Sequence, residues 1–356
     1  MLHAVVMAGG SGTRFWPQSR RSLPKQLLRL HGDRTMIQQT LDRCAGWISP
    51  ENAWVVTNAV QAPRTAEQLP ELPAENLLVE PAARNTAPCV GLAAIQILQR
   101  DPDGIMFVMP ADHVIQSVEA FQTAGRAAAA LVEEEPDRLV LFGVTPTFPS
   151  TGYGYIERGE LLSTTAPHAF AVQSFREKPA RELAEEYLRA GSFYWNCGIF
   201  CWKASTIVAQ LRQHAPELHA RLMSIAEGLN SGTDVLAAEF PQMPSISIDY
   251  AVLEKASQVV VIEAPFTWDD VGSWLAVPRL AGMDEHGNTV DGLHIGSDTC
   301  GCIIRTTDRH LVATLGVQDL IIVHTDDATL IAHRNDSEQI REILSQLETR
   351  QLTDWM

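Results

Sequence analysis

A mixed α/β fold, with a mostly parallel sheet flanked by helices and a small β-rich unit closing the chain, is what this sequence predicts. Three observations carry that expectation: strand-like and helix-like segments alternate as far as Val144, paired strand patterns follow, and short turn-bounded strands begin at Met283.

Residues 5 to 7 form an apolar run that reads as a buried strand, and residues 36 to 48 carry the spacing of an amphipathic helix. A strand over 53 to 57, a helix over 87 to 99, a strand over 105 to 109, an alanine-rich helix over 120 to 135 and a strand over 139 to 144 continue the alternation. Parallel neighbours need crossover connections, so this rhythm implies a sheet covered on both faces. TGYGYIERG (151 to 159) and FAVQSFREKP (170 to 179) then read as paired strands of a substrate-covering insertion, with a helix over 180 to 190 starting beside Pro179. From Met283, TVDGLHIG, GCIIRTT, HLVATLG and DLIIVHTDDATLIAHR are strands between Gly and Asp turns. Asp336 and Gln339 have the spacing of a capping box before a last helix. No repeat of fixed period is visible, and a single HIGS is too little to predict a hexapeptide β-helix. The boundary is expected in GMDEHGN, giving a main domain over 1–282 and a β-rich domain with a terminal helix over 283–356.

The chain has 356 residues, 46% apolar and 20% charged, a globular mixture long enough for more than one core. No run approaches the roughly 18 to 20 apolar residues that span a bilayer, and no signal pattern follows Met1, so a cytoplasmic protein without membrane attachment is expected. Six scattered cysteines read as free, mostly buried thiols, and Cys300 and Cys302 lack the second ligand pair of a structural zinc site. A formal net charge of -16 argues against a nucleic-acid groove. Residues 14 to 34 depart from that balance, with Arg14, Arg20, Arg21, Lys25, Arg29 and Arg34 against Asp33 alone.

This basic segment lies in AGGSGTRFWPQSRRSLPKQLLRL, residues 8 to 30. Gly9, Gly10, Ser11 and Gly12 after a strand allow a sharp turn and let backbone amides approach an anion, usually phosphate. No Gly-Lys-Ser/Thr ends the loop, and Phe15 stands where a dinucleotide fingerprint needs its third glycine, so P-loop ATPase and Rossmann dehydrogenase readings both fall. Arg14 offers a planar fork and Lys25 a point charge, suited to different oxygens of a triphosphate.

The stretch resembles the signature of sugar-1-phosphate nucleotidyltransferases, and its Trp-Pro and Pro-Lys-Gln elements are similar to those of the mannose-1-phosphate guanylyltransferases. Phe15 stands where that family often has Leu, and Leu27 where it often has Phe. EPAARNTAP (80 to 88), MPADHVI (109 to 115), TGYGYIE (151 to 157), FREKP (175 to 179), FYWNCGIFCWK (193 to 203), SISIDYAVLEK (245 to 255) and FTWDDVGSW (266 to 274) occur in the family's order, so the resemblance spans residues 5 to 274. It implies a Rossmann-like nucleotidyltransferase fold and transfer of GMP from GTP to mannose 1-phosphate, yielding GDP-mannose and pyrophosphate. Many bacterial relatives carry a longer isomerase extension; with Met356 as the last residue, a single activity is expected, in a homodimer.

A phosphate monoester loses its second proton near pH 6, so the nucleophile is already dianionic and the implied reaction needs no general base. What it needs is alignment of two anions and an offset to their repulsion. The resemblance assigns that work to Arg14, Lys25, Asp112, Lys178 and Asp270, with Asp112 and Asp270 holding Mg2+ and Lys178 meeting the sugar phosphate. Ala8, Gly9, Gly10, Gly12, Thr13, Glu80, Asn85 and Thr86 are expected to bind the nucleotide. Glu80 would accept from guanine N1–H and N2–H2, or else cap the Asn85-Thr86 turn. Gly152, Glu177, Asn196 and Asp249 are expected at the hexose, Asp249 either binding it or capping the helix that follows. Glu177 and Lys178 can both reach the substrate only if the backbone turns between them. Asp269 has no assigned role, and His113 is not demanded as a base. Phe193, Tyr194, Trp195, Phe200 and Trp202 read as core. Two rivals remain, a transferase for another sugar 1-phosphate or nucleotide and a non-catalytic subunit binding GDP-mannose; the presence of all five charged residues favours catalysis.

Overall fold

The computed structural model describes residues 1–10, 12–163 and 167–356, so Ser11 of the glycine loop lies outside the described residues. Strand β1 (Leu2–Met7) is followed by α1 (Met36–Asp42), β2 (Ala53–Asn58), α2 (Ala62–Gln68), β3 (Leu77–Glu80), α3 (Thr86–Arg100) and β4 (Ile105–Pro110). Next come β5 (Val114–Gln116), α4 (Val118–Glu134), β6 (Leu139–Val144), β7 (Tyr155–Ser163), β8 (Ala169–Arg176), α5 (Arg181–Ala190) and β9 (Phe193–Lys203). Helices α6 (Ala204–His214), α7 (Pro216–Ser231) and α8 (Leu236–Glu239) lead to β10 (Val259–Glu263), β11 (Thr267–Asp269) and α9 (Val277–Ala281). The C-terminal part holds β12 (Thr289–Asp291), β13 (His294–Cys300), β14 (Ile303–Arg305), β15 (Val312–Gln318), β16 (Leu320–His324), β17 (Thr329–His333) and α10 (Ile340–Thr349).

Nine strands form one mixed sheet in the order β3-β2-β1-β4-β9-β6-β10-β8-β7. Pairing is parallel from β3 to β4 and between β6 and β10, while β9 runs antiparallel to both β4 and β6. The near-continuous apolar runs of β1, β2, β4 and β6 fit burial on both faces. One face packs against α3, α6 and α7 around Trp54, Leu92, Trp202 and Leu222; the other packs against α1 and α4 around Phe107, Phe121 and Phe142. Phe193, Tyr194, Trp195, Phe200 and Trp202 are all buried, as core residues should be. Five of the six free cysteines are buried, and burial pushes the Cys197 thiol up to about 12.

Three local expectations change. The helix expected over 36 to 48 ends at Asp42, because Cys44 and Ala45 donate to carbonyls only three residues back and Gly46 takes a φ of 74°. Asp336 and Gln339 do not build a reciprocal box: Gln339 Nε2 donates to Asp336 Oδ1 at 3.2 Å, and a 3-10 turn from Arg334 to Gln339 precedes α10. The third change is larger, since β12, β14 and β16 stack in parallel and β13 pairs in parallel with β15, making the coils of a short β-helix. A step of 14 residues joins Thr289 to its partner Ile303, whereas 18 separate Ile303 from Ile321 and His294 from Val312. Unequal coils hide the repeat from any search at one period.

Apolar side chains of the signature segment share a core with this coil. Phe15, Trp16, Leu28 and Leu30 pack with Trp274, Ile303, Ile321, Val323 and Ile340, and the Phe15 and Trp274 rings lie 5.0 Å apart. Polar contacts reinforce the join: Trp16 Nε1 donates to the Trp355 carbonyl at 2.7 Å, Arg20 pairs with Asp327 at 2.7 Å and Arg21 with Glu348 at 3.0 Å. Part of the basic segment is therefore answered by acids of the chain's own C-terminal part.

Candidate active site

The glycine loop leaves the carboxyl end of β1, the edge of an open α/β sheet where ligands bind. Gln26 Nε2 holds the loop from behind, donating to the carbonyls of Ala8 at 2.7 Å and Gly10 at 3.0 Å, and Gln61 Nε2 reaches the Gly10 carbonyl at 3.2 Å. The amides of Gly9, Gly10 and Gly12 donate to no acceptor among the described residues. Gly12 has a φ of 56°, and a Cβ there would fall on the backbone of Lys25, so the chain itself requires this glycine. Gly10 has open space on its Cβ side. Thr13 opens the 3-10 turn that carries Arg14.

Lys25 is 5% exposed and ties two carboxylate-bearing segments together. Its Nζ lies 2.9 Å from Asp112 Oδ2 and donates to the Asp270 carbonyl at 2.6 Å. Burial is the largest influence on Asp112 and opposes its ionisation, but the Lys25 charge, the neighbouring His113 and the hydrogen bonds to the carboxylate together outweigh it, and the carboxyl is held below its ordinary range. Tyr153 OH donates to Asp270 Oδ1 at 2.7 Å, and burial together with the Asp270 charge pushes the phenol well up, so it remains a donor. Each aspartate keeps one oxygen outside these bonds. Arg14 NH1 donates to the Gly272 carbonyl at 3.1 Å from the other wall. A cleft of about 350 Å3 joins Gly12, Arg14, Lys25, Asp112, Asp270 and Arg341.

Val271, between Asp270 and Gly272, has a φ of 48°, an outlier for a β-branched residue. Asp269 explains how it is held: its Oδ1 accepts from Val271 N at 2.7 Å while Arg279 clamps the same carboxylate at 2.7 and 3.1 Å. Asp269 thus positions the turn that presents Asp270. His113 is equally constrained, because Trp268 Nε1 donates to its Nδ1 at 3.1 Å, leaving the proton of the neutral ring on Nε2, 3.8 Å from Asp112 Oδ1. Burial lowers its pKa, which favours that neutral ring.

A second cluster gathers the residues expected at the hexose. Lys178 adopts a φ of 47°, the turn needed for neighbouring Glu177 and Lys178 to share a site, and their side chains pair at 2.7 Å. Asn196 Nδ2 donates to Asp249 Oδ1 at 2.9 Å, and burial, with Glu177 nearby, raises the Asp249 carboxyl to about 6. Asp249 is the first residue of a π-helical turn, Asp249–Leu253. Asn196 is aimed by an irregularity in β9, where Gly198 has a φ of 72° and donates to Asn196 Oδ1 at 3.0 Å. A Cβ on Gly198 would come within 4.0 Å of His113 Cε1, which joins the two clusters. The Gly152 amide is already engaged by Ser150 Oγ at 3.2 Å.

At the loop's other flank, Glu80 is 6% exposed, and its Oε1 is buried without a hydrogen-bond partner. Burial raises its carboxyl to about 7. A Cβ on Gly9 would sit 3.1 Å from Glu80 Oε2, so the carboxylate borders the glycine loop. It does not cap the following turn: Asn85 does so with its own Oδ1 to Thr86 N at 2.9 Å, and Thr86 Oγ1 accepts from Ile248 N at 2.9 Å. Asn85 therefore spends its side chain on the local turn, and Thr86 on a contact with the distant Ile248 backbone. Sequence reasoning singled out none of Tyr153, Gln26 and Trp268, although all three stand inside quoted motifs, and Gln61 gave no comparable signal.

The site joins two carboxylates, two nearby cations and a loop with amides left unbonded among the described residues, a donor set for polyphosphate with a hard divalent cation. Among the described residues no group of three or more His, Cys, Asp or Glu side chains is arranged to enclose a metal. A cation that keeps waters and phosphate oxygens in its shell is the kind that two carboxylates suit.

The family model described as nucleotidyl transferase matches residues 3–284, and one described as a MannoseP isomerase/GMP-like beta-helix domain matches residues 292–347. A mannose-1-phosphate guanylyltransferase of Klebsiella pneumoniae is 38% identical over 360 residues, covering 100% of this chain and 76% of the relative. One of Escherichia coli K12 is 38% identical over 355 residues, covering 98% and 73%. A crystal structure described as mannose-1-phosphate geranyltransferase, from Thermus thermophilus, matches with a TM-score of 0.87 and 34% identity over 98% of this chain and 99% of that one.

Proposed function

Because the chain belongs to the nucleotidyl transferase family, among the mannose-1-phosphate guanylyltransferases, we propose that it transfers GMP from GTP to mannose 1-phosphate, forming GDP-mannose and releasing pyrophosphate. The observation that carries the mechanism is the bridge made by Lys25 between Asp112 and Asp270 beside a glycine loop whose Gly9, Gly10 and Gly12 amides donate to no acceptor among the described residues.

In this reading the Gly9, Gly10 and Gly12 amides and Thr13 bind the triphosphate, and Arg14 and Lys25 take up charge on the reacting and leaving phosphates. Asp112 and Asp270 would hold Mg2+ through the oxygens left outside their present bonds; bound there, the cation would neutralise phosphate charge and polarise the α-phosphate. Tyr153 fixes the Asp270 carboxylate by its hydrogen bond. Lys178 meets the sugar phosphate, while Glu177, Asn196 and Asp249 receive the hexose hydroxyls. Glu80 accepts the paired donors of guanine. No side chain has to remove a proton, since mannose 1-phosphate is already dianionic, and the engaged Nδ1 of His113 fits that. The catalytic unit is residues 1–282 and the β-rich unit 283–356. Two copies of the chain associate through the β13–β15 ribbon, where Leu293, Ile295, Leu311 and Leu315 are 48, 59, 54 and 76% exposed. The setting is cytoplasmic; no helix among the described residues is long and apolar enough to cross a membrane.

Pyrophosphate release, measured with GTP, ATP, UTP or dTTP against mannose, glucose and fucose 1-phosphates with and without Mg2+, tests the reading. GTP with mannose 1-phosphate should turn over fastest and only with the cation. Turnover of no pair would end it.

A further inference from the structure

Arg341 reaches the main-domain cleft from the C-terminal helix α10, lining it beside Gly12, Arg14, Lys25, Asp112 and Asp270. Its one ion pair among the described residues is with Glu338, at 3.3 Å, and the same Glu338 Oε2 lies 3.3 Å from Arg14 Nε. A single carboxylate oxygen therefore bridges two arginines at the mouth of the cleft. All three side chains are exposed, 39% for Arg14, 58% for Arg341 and 59% for Glu338, so this bridge is weak and easily exchanged.

Charge balance shows what exchange would do. The cleft is lined by three cations, Arg14, Lys25 and Arg341, and two carboxylates, Asp112 and Asp270, while Glu338 beside it pairs with both arginines. Lys25 and the two aspartates are tied by short, partly buried bonds, whereas the Glu338 side chain is joined, among the described residues, only to the arginines. An incoming polyphosphate offers oxygens in forks that arginine matches better than one carboxylate oxygen does. Releasing Glu338 would turn two cations toward it at once.

We propose that Arg341 is a ligand of the β- and γ-phosphates supplied by the C-terminal helix, with Glu338 holding its place until the nucleotide arrives. The proposal rests on the transferase reading above and adds to it a residue from outside the catalytic unit. It makes the β-rich part a contributor to substrate binding.

Kinetics in both directions test it. Arg341→Ala should raise KM for GTP, and KM for pyrophosphate in the reverse reaction, by roughly tenfold or more, the scale of one charge-assisted hydrogen bond. KM for mannose 1-phosphate and GDP-mannose should stay within about twofold and the melting temperature should not move, because an exposed side chain with one weak ion pair is being removed. Arg341→Lys should recover part of the loss. Glu338→Gln should lower KM for GTP about two- to fivefold by freeing both arginines. An unchanged KM for pyrophosphate in Arg341→Ala, or an equal rise in KM for all four substrates, overturns the proposal. Titration calorimetry of pyrophosphate with the unaltered protein and Arg341→Ala separates the two readings. Weaker binding by the variant supports the ligand role even if no substrate pair turns over, and equal binding rejects it even if one does.

Discussion

His113 stands next to Asp112 inside the cleft, yet its Nδ1 lone pair is taken by Trp268 and its other nitrogen carries the proton. Asp112 and Asp270, by contrast, each keep an oxygen free of their bonds to Lys25 and Tyr153. Asp112→Asn and Asp270→Asn should therefore each lower kcat by about 100-fold or more, the scale for losing a preorganised electrostatic group, while His113→Ala should cost less than about tenfold. Equal losses in all three would mean that a base is needed after all. Glu80 invites a pH experiment. Burial lifts its carboxyl from an ordinary 4.5 to about 7, so between those values the folded protein holds a proton that the unfolded chain has lost. Stability must then fall as pH rises across that window. Glu80→Gln should remove this slope in urea midpoints and raise stability above pH 7 by roughly 1–3 kcal/mol. The ionised carboxylate is the form that can accept both guanine donors, so KM for GTP should fall as pH rises through 7. In Glu80→Gln only the nucleotide's own ionisation should remain in that profile. Matching KM profiles for the two proteins would remove Glu80 from base recognition.

Among the elements, the glycine loop separates Gly12, which the fold needs, from Gly10, whose Cβ side is open. Gly12 combines a left-handed φ with close approach to Lys25, so Gly12→Ala should cost about 1–3 kcal/mol and lower kcat by displacing the lysine, as melting temperature and turnover would report. Gly10 has space for a Cβ, so Gly10→Ala should leave the melting temperature within a degree or two and raise KM for GTP instead. A drop in melting temperature for Gly10→Ala comparable to that of Gly12→Ala would place both glycines in the fold. The βα alternation was legible because strands such as β1, β2, β4 and β6 are continuous apolar runs and α3 and α4 keep a helical period. The β-helix was not, because its successive coils differ by four residues. Asp336 and Gln339 had the spacing of a box, but the chain before α10 winds as a 3-10 turn, and the two side chains meet each other there.

For the molecule as a whole, the exposed apolar ribbon is the surface a second copy should cover, since Leu293, Ile295, Leu311, Ala313 and Leu315 share one face of the β13–β15 pair. If two copies associate as proposed, Leu315→Arg should shift sedimentation from dimer to monomer while far-UV circular dichroism stays unchanged; a monomeric unaltered protein would reject the dimer, and a variant dimer that survives would move the interface elsewhere. The C-terminal coil is bound to the signature segment through Trp16, Arg20, Arg21 and a shared core with Phe15 and Trp274. That join explains the basic segment: Arg20 and Arg21 meet acids of residues 327 and 348, whereas Arg14 and Lys25 face the cleft. By itself the sequence determined the alternating architecture and the glycine loop and singled out Arg14, Lys25, Asp112 and Asp270, because each is written in local period or in a contiguous motif, whereas no motif marks Arg341. Tertiary structure alone decided which partner each charge meets. Lys25 lies 87 positions from Asp112 and 245 from Asp270, and Arg14 lies far along the chain from Glu338. Such pairings are made by the crossover of strands and the docking of the coil, and no local pattern encodes them.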